Sequence, residues 1–282
     1  MAPDTGAPGF EALIADRYEL VRLIARGDLS DVYEGRDRLL QRSVAVKVYR
    51  PEAPVDPDRL EPEIVALVAH NNPGAVELYD AGDEGGDLYI VMELVKGPTL
   101  RSVLSKRGAL EPLEAASFGV AVADAVAFVH AAGVVHTDLN PANVLCARDG
   151  SVRLADLGSI RVAADTDITG DPTYLAPEQV KGDAVTPAVD VYALGVLLLE
   201  LLMGPKSFER ERADDITVID LDRDAELSSA VPAVLRPLVR QMTSREPSRR
   251  PPAAAVGDRL AALVKAAQVP GVSLRSPSPM ER

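Results

Sequence analysis

The chain has 282 residues, 47% of them hydrophobic, and a formal net charge of −13. That length buries a large core, as one domain or two lobes, and the negative balance argues against a nucleic-acid or anionic-membrane partner, because only local basic patches would offset the repulsion. Cys146 is the single cysteine, which excludes an intramolecular disulfide and suits a reducing compartment; within Val144-Leu145-Cys146 it reads as a small buried hydrophobe.

Residues 1–16 read as a flexible leader without the apolar stretch of a signal peptide. Residues 18–24 and 43–49 alternate apolar and polar side chains, as half-buried strands do. A helix is predicted over 60–70, with Ile64, Leu67 and Val68 on one face, then strands around 76–80 and 88–94. Gly97-Pro98 breaks the pattern and marks a boundary. Beyond it, helices are predicted over 113–132, 191–203, 231–242 and 253–268. The most apolar of these, 191–203, is too short for a bilayer and contains Glu200, so the expectation is a cytoplasmic protein with no membrane contact. Residues 206–229 are densely charged and lack helical periodicity, and 269–282 read as a Pro- and Ser-rich tail.

Five polar residues carry the chemistry. Lys47 ends Val44-Ala45-Val46-Lys47, a run that places its ammonium on a largely buried strand, where it needs a partner. Glu63 lies on the predicted helix. Asp138 and Asn143 bracket His136-Thr137-Asp138-Leu139-Asn140-Pro141-Ala142-Asn143, and Asp156 opens Asp156-Leu157-Gly158. A cation, its carboxylate partner, a base and two oxygen ligands for a metal are the parts that phosphoryl transfer requires. Ala176-Pro177-Glu178, Asp190-Val191-Tyr192-Ala193-Leu194-Gly195 and Arg250-Pro251 follow in order.

With these motifs the chain resembles the bacterial eukaryotic-like (Hanks-type) serine/threonine protein kinases over residues 18–264. The resemblance implies an α+β, bilobal fold across 17–268: a mainly-β N-lobe with one helix to about residue 95, and a mainly-α C-lobe from about 96. It implies ATP and Mg²⁺ as cofactors and a protein substrate or regulated protein partner. Lys47 would meet the α- and β-phosphates and pair with Glu63, preferred over Glu61 because Leu67 one turn on supplies the core contact. Asp138 would be the base, Asn140 would stand beside it, Asn143 and Asp156 would ligate the metal, and His136 would be a core residue rather than a base. The nucleotide pocket would comprise Ile24, Gly27, Val32, Ala45, Met92, Leu145 and backbone groups of Glu93 and Val95. Glu178 would pair with Arg250, and Asp190 with the backbone of the catalytic loop.

The chain also departs from this family. The phosphate-covering loop, Ala25-Arg26-Gly27-Asp28-Leu29-Ser30-Asp31-Val32, keeps only the middle of three glycines, which stiffens it and adds negative charge near the γ-phosphate. Thr137 stands where many relatives have arginine, Asn140 where they have the lysine that steadies the transferring group, and Asp171 where they have threonine. A lost cation and a gained anion predict reduced electrostatic stabilisation, with the Asn140 amide donating to Asp171 or Asp138. A slow protein kinase, a nucleotide-binding pseudokinase and a small-molecule phosphotransferase are the three functions these residues leave open; Ala176-Pro177-Glu178 and Arg250 favour a protein substrate over a small one.

Overall fold

The computed structural model describes residues 13–27, 29–50, 74–84, 87–156, 171–206, 208 and 229–267. These form two compact units, one of residues 13–50 and 76–95, the other of 74–75 and the residues from 96 onward. The helix expected over 60–70, and with it Glu63, lies outside the described residues, as does most of the charged stretch 206–229.

The first unit is a six-stranded antiparallel sheet. Its strands are β1 (Leu13–Ile14), β2 (Tyr18–Arg26), β3 (Ser30–Asp37), β4 (Arg42–Tyr49), β5 (Leu78–Glu84) and β6 (Asp87–Glu93), in the order β1-β2-β3-β4-β6-β5. Alternation fixes which side chains turn inward. Val44 and Val46 of β4, Val91 and Tyr89 of β6, and Tyr18 and Leu20 of β2 close a small apolar core. β3 has no counterpart among the predicted strands, because Asp31, Glu34, Arg36 and Asp37 obscure its apolar pattern. Its pairing on both edges, with β2 and with β4, satisfies its backbone instead. Asp37 ends that strand: its buried carboxylate accepts two bonds from Arg17 (2.9 and 2.8 Å) and the backbone N–H groups of Leu39 and Leu40. The Arg17 guanidinium holds the Asp37 carboxyl down to about 2. β5 runs later than expected, from Leu78 rather than 76.

The second unit is mainly helical: α1 (Leu100–Arg107), α2 (Pro112–Ala131), α3 (Pro177–Lys181), α4 (Ala188–Met203), α5 (Arg236–Met242) and α6 (Ala253–Ala267), with a two-stranded ribbon of β7 (Val144–Cys146) and β8 (Val152–Leu154). α4 is largely apolar and, Asp190 and Glu200 included, is buried without a break from Val189 to Leu201, as a helix at the centre of a core is. By length and composition α2 could cross a membrane. In this fold it packs Ala115, Ala116, Val122, Val126 and Val129 into the same core as α4. It also approaches α6 so closely that a Cβ at Gly119 would stand 2.9 Å from Leu260 Cδ1. The helix expected over 231–242 is shorter than that range. Pro237 has no N–H to donate and fits only the first turn, so α5 begins at Arg236, after a turn in which Leu235 N–H bonds the Pro232 carbonyl (2.8 Å). α1 was not anticipated, although its signals are local: the Thr99 hydroxyl caps Ser102 N–H at 3.1 Å, and Gly108 at φ 73° ends the helix after Lys106 and Arg107.

Candidate active site

In the second unit, the loop between α2 and β7 is held from beneath by one carboxylate. Asp190, in the first turn of α4, is buried. Its Oδ2 accepts the backbone N–H of His136, its Oδ1 that of Thr137, both at 2.8 Å, and His130 Nε2 lies 2.8 Å from Oδ2. This is the expected bond of Asp190 to the loop backbone. A second support comes from Gln179 of α3, whose Nε2 donates to the Thr137 carbonyl at 2.9 Å. Fixed on both sides, Thr137 takes the left-handed conformation at φ 67°, which is costly for a β-branched residue. His136 is fully buried, and its Nε2 donates to the Ala155 carbonyl at 3.0 Å. It therefore sits in the core, as expected, and ties the loop to the strand that precedes Asp156.

Asp138 is gripped symmetrically. Asn140 Nδ2 donates to Oδ1 and Asn143 Nδ2 to Oδ2, each at 3.0 Å, and both amides also reach the Asp138 carbonyl (3.2 and 2.9 Å). Burial pushes the Asp138 carboxyl above its ordinary value, while the Asn140 and Asn143 amides pull it back. Pairing of Val144 with Leu154 sets the register of the β7–β8 ribbon, and Ala155 N–H bonds the Asn143 carbonyl at 2.9 Å. Asn143 is thus brought beside the residue that precedes Asp156, which stands at φ 54°. Both Nδ2 contacts of Asn143 go to Asp138, so its Oδ1 takes no part in that grip. An amide oxygen and a carboxylate, brought together by one ribbon, are hard donors that fit Mg²⁺, which draws its other ligands from phosphates and water. Leu145 follows on β7, half-buried and bridged to Thr99.

In the first unit, Lys47 lies half-buried on β4, opposite Val32 of β3 and Ile90 of β6. Its Nζ stands 5.2 Å from the centre of the Tyr49 ring. Ala45 pairs with Met92, and both are buried; Glu93 pairs with Val44, and Val95 follows half-buried. Glu93 N–H is taken by the Glu77 carbonyl at 2.8 Å. The tip between β2 and β3 is closed by Gly27 N–H to the Ser30 carbonyl (2.8 Å), with Ile24 exposed on the approaching strand. Arg50, just past β4, braces this tip: its guanidinium donates to the Gly27 carbonyl (2.9 Å) and to Asp31 Oδ1 (3.1 Å), and its N–H bonds the Leu29 carbonyl (2.9 Å).

A family model described as the protein kinase domain matches residues 18–259. The chain belongs to the protein kinase family. It is similar to the serine/threonine-protein kinase PknL of Mycobacterium tuberculosis, 38% identical over 291 residues that cover 98% of this chain and 72% of the relative. PrkC of Bacillus subtilis is 34% identical over 252 residues, 84% of this chain and 39% of the relative. PknB of Mycolicibacterium smegmatis is 37% identical over 210 residues, 69% and 34% of the two chains.

Within this kinase, Asp138, Asn140, Asn143 and the strand leading to Asp156 meet in one hydrogen-bonded group, and Glu178 pairs with Arg250 as anticipated (2.5 and 2.8 Å). Of the two partners expected for Asn140, the structure selects Asp138. Asp171 lies instead beside a residue that sequence reasoning missed: its Oδ2 is 3.6 Å from the Arg101 guanidinium, which also donates to Glu200 (2.6 Å) and to the Tyr174 hydroxyl (3.1 Å). Burial works against the charge on Arg101, but Tyr174, Glu200 and Asp171 keep its pKa above the ordinary value. The Tyr174 hydroxyl donates in turn to Glu200 and is itself raised, by burial first and then by that carboxylate. Arg101 stands 70 to 99 residues from these partners, which left no local signal for its place among them. Arg50 was missed for a different reason: one arginine after a strand is ordinarily a solvated charge.

Proposed function

We propose that this protein kinase transfers the γ-phosphoryl group of ATP to serine or threonine hydroxyls of protein substrates. The observation that carries the reading is the Asp138 carboxylate, buried enough to be raised yet kept as an acceptor by two amide donors, the condition for a base that takes a hydroxyl proton. The serine/threonine specificity in the names of PknL, PrkC and PknB supports the choice of acceptor. Asn143 Oδ1 and the Asp156 carboxylate would hold Mg²⁺, which neutralises phosphate charge when bound. Lys47 would meet the phosphates. In the first unit, Ile24, Gly27, Val32, Ala45 and Met92 would contact the nucleotide; because Glu93 N–H is engaged, Glu93 would offer its carbonyl and Val95 the second backbone group.

Asn140 orients Asp138 without supplying a cation, so turnover should be slower than in kinases with lysine there. Of the departures that weigh against turnover, the charge of Asp171 has Arg101 beside it. The test is ³²P transfer from Mg-ATP to myelin basic protein, compared with Asp138→Asn and Asp156→Ala, alongside thermal shift with Mg-ATP. Wild-type transfer lost in both variants is expected. A Mg-ATP shift in the wild type without any transfer would return the reading to a nucleotide-binding scaffold, and the absence of both would overturn it.

A further inference from the structure

Arg101 joins three segments of the second unit. Its backbone N–H donates to the Pro141 carbonyl of the catalytic loop at 2.8 Å. Its guanidinium reaches Glu200 in α4, and Tyr174 and Asp171 in the turn before α3. The Glu200 side chain is only 1% exposed, and a buried carboxylate demands a cation and donors; it receives Arg101 and the Tyr174 hydroxyl. That demand fixes the guanidinium in place and leaves its other nitrogen directed at Asp171.

Asp171 shapes the turn that follows it. Its Oδ1 accepts Thr173 N–H and its carbonyl accepts Tyr174 N–H, both at 3.0 Å. The Arg101–Asp171 contact is long and about one-third exposed on each side, so as an isolated pair it would add little stability. Its consequence lies in position and field: it compensates a carboxylate at the place where related kinases carry a neutral threonine, next to a loop whose usual lysine is Asn140.

We infer that Arg101 is a positioning residue for phosphoryl transfer, one that neutralises Asp171 and holds the 171–174 turn to the catalytic loop through Pro141 and to α4 through Glu200. The division of work differs from the lysine–threonine arrangement. Asn140 orients the base, and Arg101, from another helix, supplies the charge that keeps the neighbouring turn in register. The inference rests on the kinase reading of the same site.

Arg101→Gln would strand Glu200 and risk unfolding, so the test uses Arg101→Lys, which keeps a cation for Glu200 but cannot also fork to Asp171 and Tyr174. The expected result is a fall of about tenfold in kcat/KM for myelin basic protein, the scale of a slightly misplaced reacting group, with KM for ATP unchanged. Adding Asp171→Asn should restore most of the loss, because it removes the carboxylate that needed compensation; a purely structural Arg101 would show no such rescue. Hydrogen exchange at the amides of Thr173 and Tyr174 should quicken in Arg101→Lys. A double variant no better than Arg101→Lys, or unchanged exchange, would overturn the inference. The exchange measurement requires no turnover, so a wild type that transfers no phosphate would overturn the kinase reading while exchange still decides whether Arg101 holds the 171–174 turn.

Discussion

Asn140 Nδ2 donates to Oδ1 of Asp138 at 3.0 Å, mirroring the bond from Asn143 to Oδ2 on the other side of the same carboxylate. The pair sets both the direction of the base and its affinity for a proton. Asp138 is raised by burial and lowered by the Asn140 and Asn143 bonds, and it must be deprotonated to accept a hydroxyl proton. The rate should therefore fall as pH drops through its raised value. Asn140→Ala removes one lowering donor and should move the acid limb of the profile to higher pH. It should also cut the rate at neutral pH about tenfold, the scale of one hydrogen bond to a charged group. A pH series of single-turnover transfer by wild type and variant checks both; an unmoved acid limb would mean that another group sets it.

Arg250 and Glu178 form a second fixed pair. The guanidinium makes a two-pronged contact with Glu178 and also donates to the Ala188 and Ser244 carbonyls at 2.9 Å, all within a buried site. Glu178→Ala should cost about 3–5 kcal/mol, because it leaves an uncompensated buried charge. Urea unfolding measures this, and the Glu178→Ala/Arg250→Met double variant should recover part of the loss.

Much of this arrangement was legible in the sequence because each part is local. The apolar run Val44-Ala45-Val46 before Lys47 announces a buried strand, and the Asp138-to-Asn143 spacing announces a single loop carrying both. The Glu178–Arg250 pair was reachable only through resemblance, since 72 residues separate them. β3 escaped because charged residues, the buried Asp37 among them, interrupt its apolar pattern, and the start of α5 escaped because Pro237 admits only the first turn of a helix. Arg101 is the clearest case. Nothing near it in the chain distinguishes a helix-surface arginine from one whose partners arrive from Asp171, Tyr174 and Glu200.

Arg50 should matter for nucleotide handling without touching catalysis. With two of three glycines replaced, the β2–β3 tip depends on the Arg50 bonds to the Gly27 carbonyl and Asp31 for its shape. Arg50→Ala should raise KM for ATP several-fold, about the ~1 kcal/mol net worth of one hydrogen bond, and leave kcat at saturating ATP nearly unchanged. Steady-state kinetics with varied ATP separates the two effects.

Activity should also be independent of activation-segment phosphorylation. In related kinases the arginine before the catalytic aspartate pairs with a phosphothreonine, and neutral Thr137 offers no such charge. Of the candidate sites Thr166, Thr169 and Thr173, the first two lie outside the described residues, and Thr173 N–H is held by Asp171. Phosphatase treatment followed by phosphatase removal should leave transfer within about twofold of the untreated enzyme, since no charge-assisted bond is lost. A collapse would show that another cation reads the phosphate.

The left-handed bend at Thr137 has a consequence for how such a kinase can change its regulation. The bend is clamped at its main chain, by Asp190 on the N–H and Gln179 on the carbonyl, and these clamps help bear the roughly 1–3 kcal/mol that such a conformation costs. Neither of these two clamps depends on which side chain stands at 137. A lineage can exchange the side chain that listens for a phosphate, and so turn a switched enzyme into a constitutive one, while both main-chain clamps on the loop stay in place.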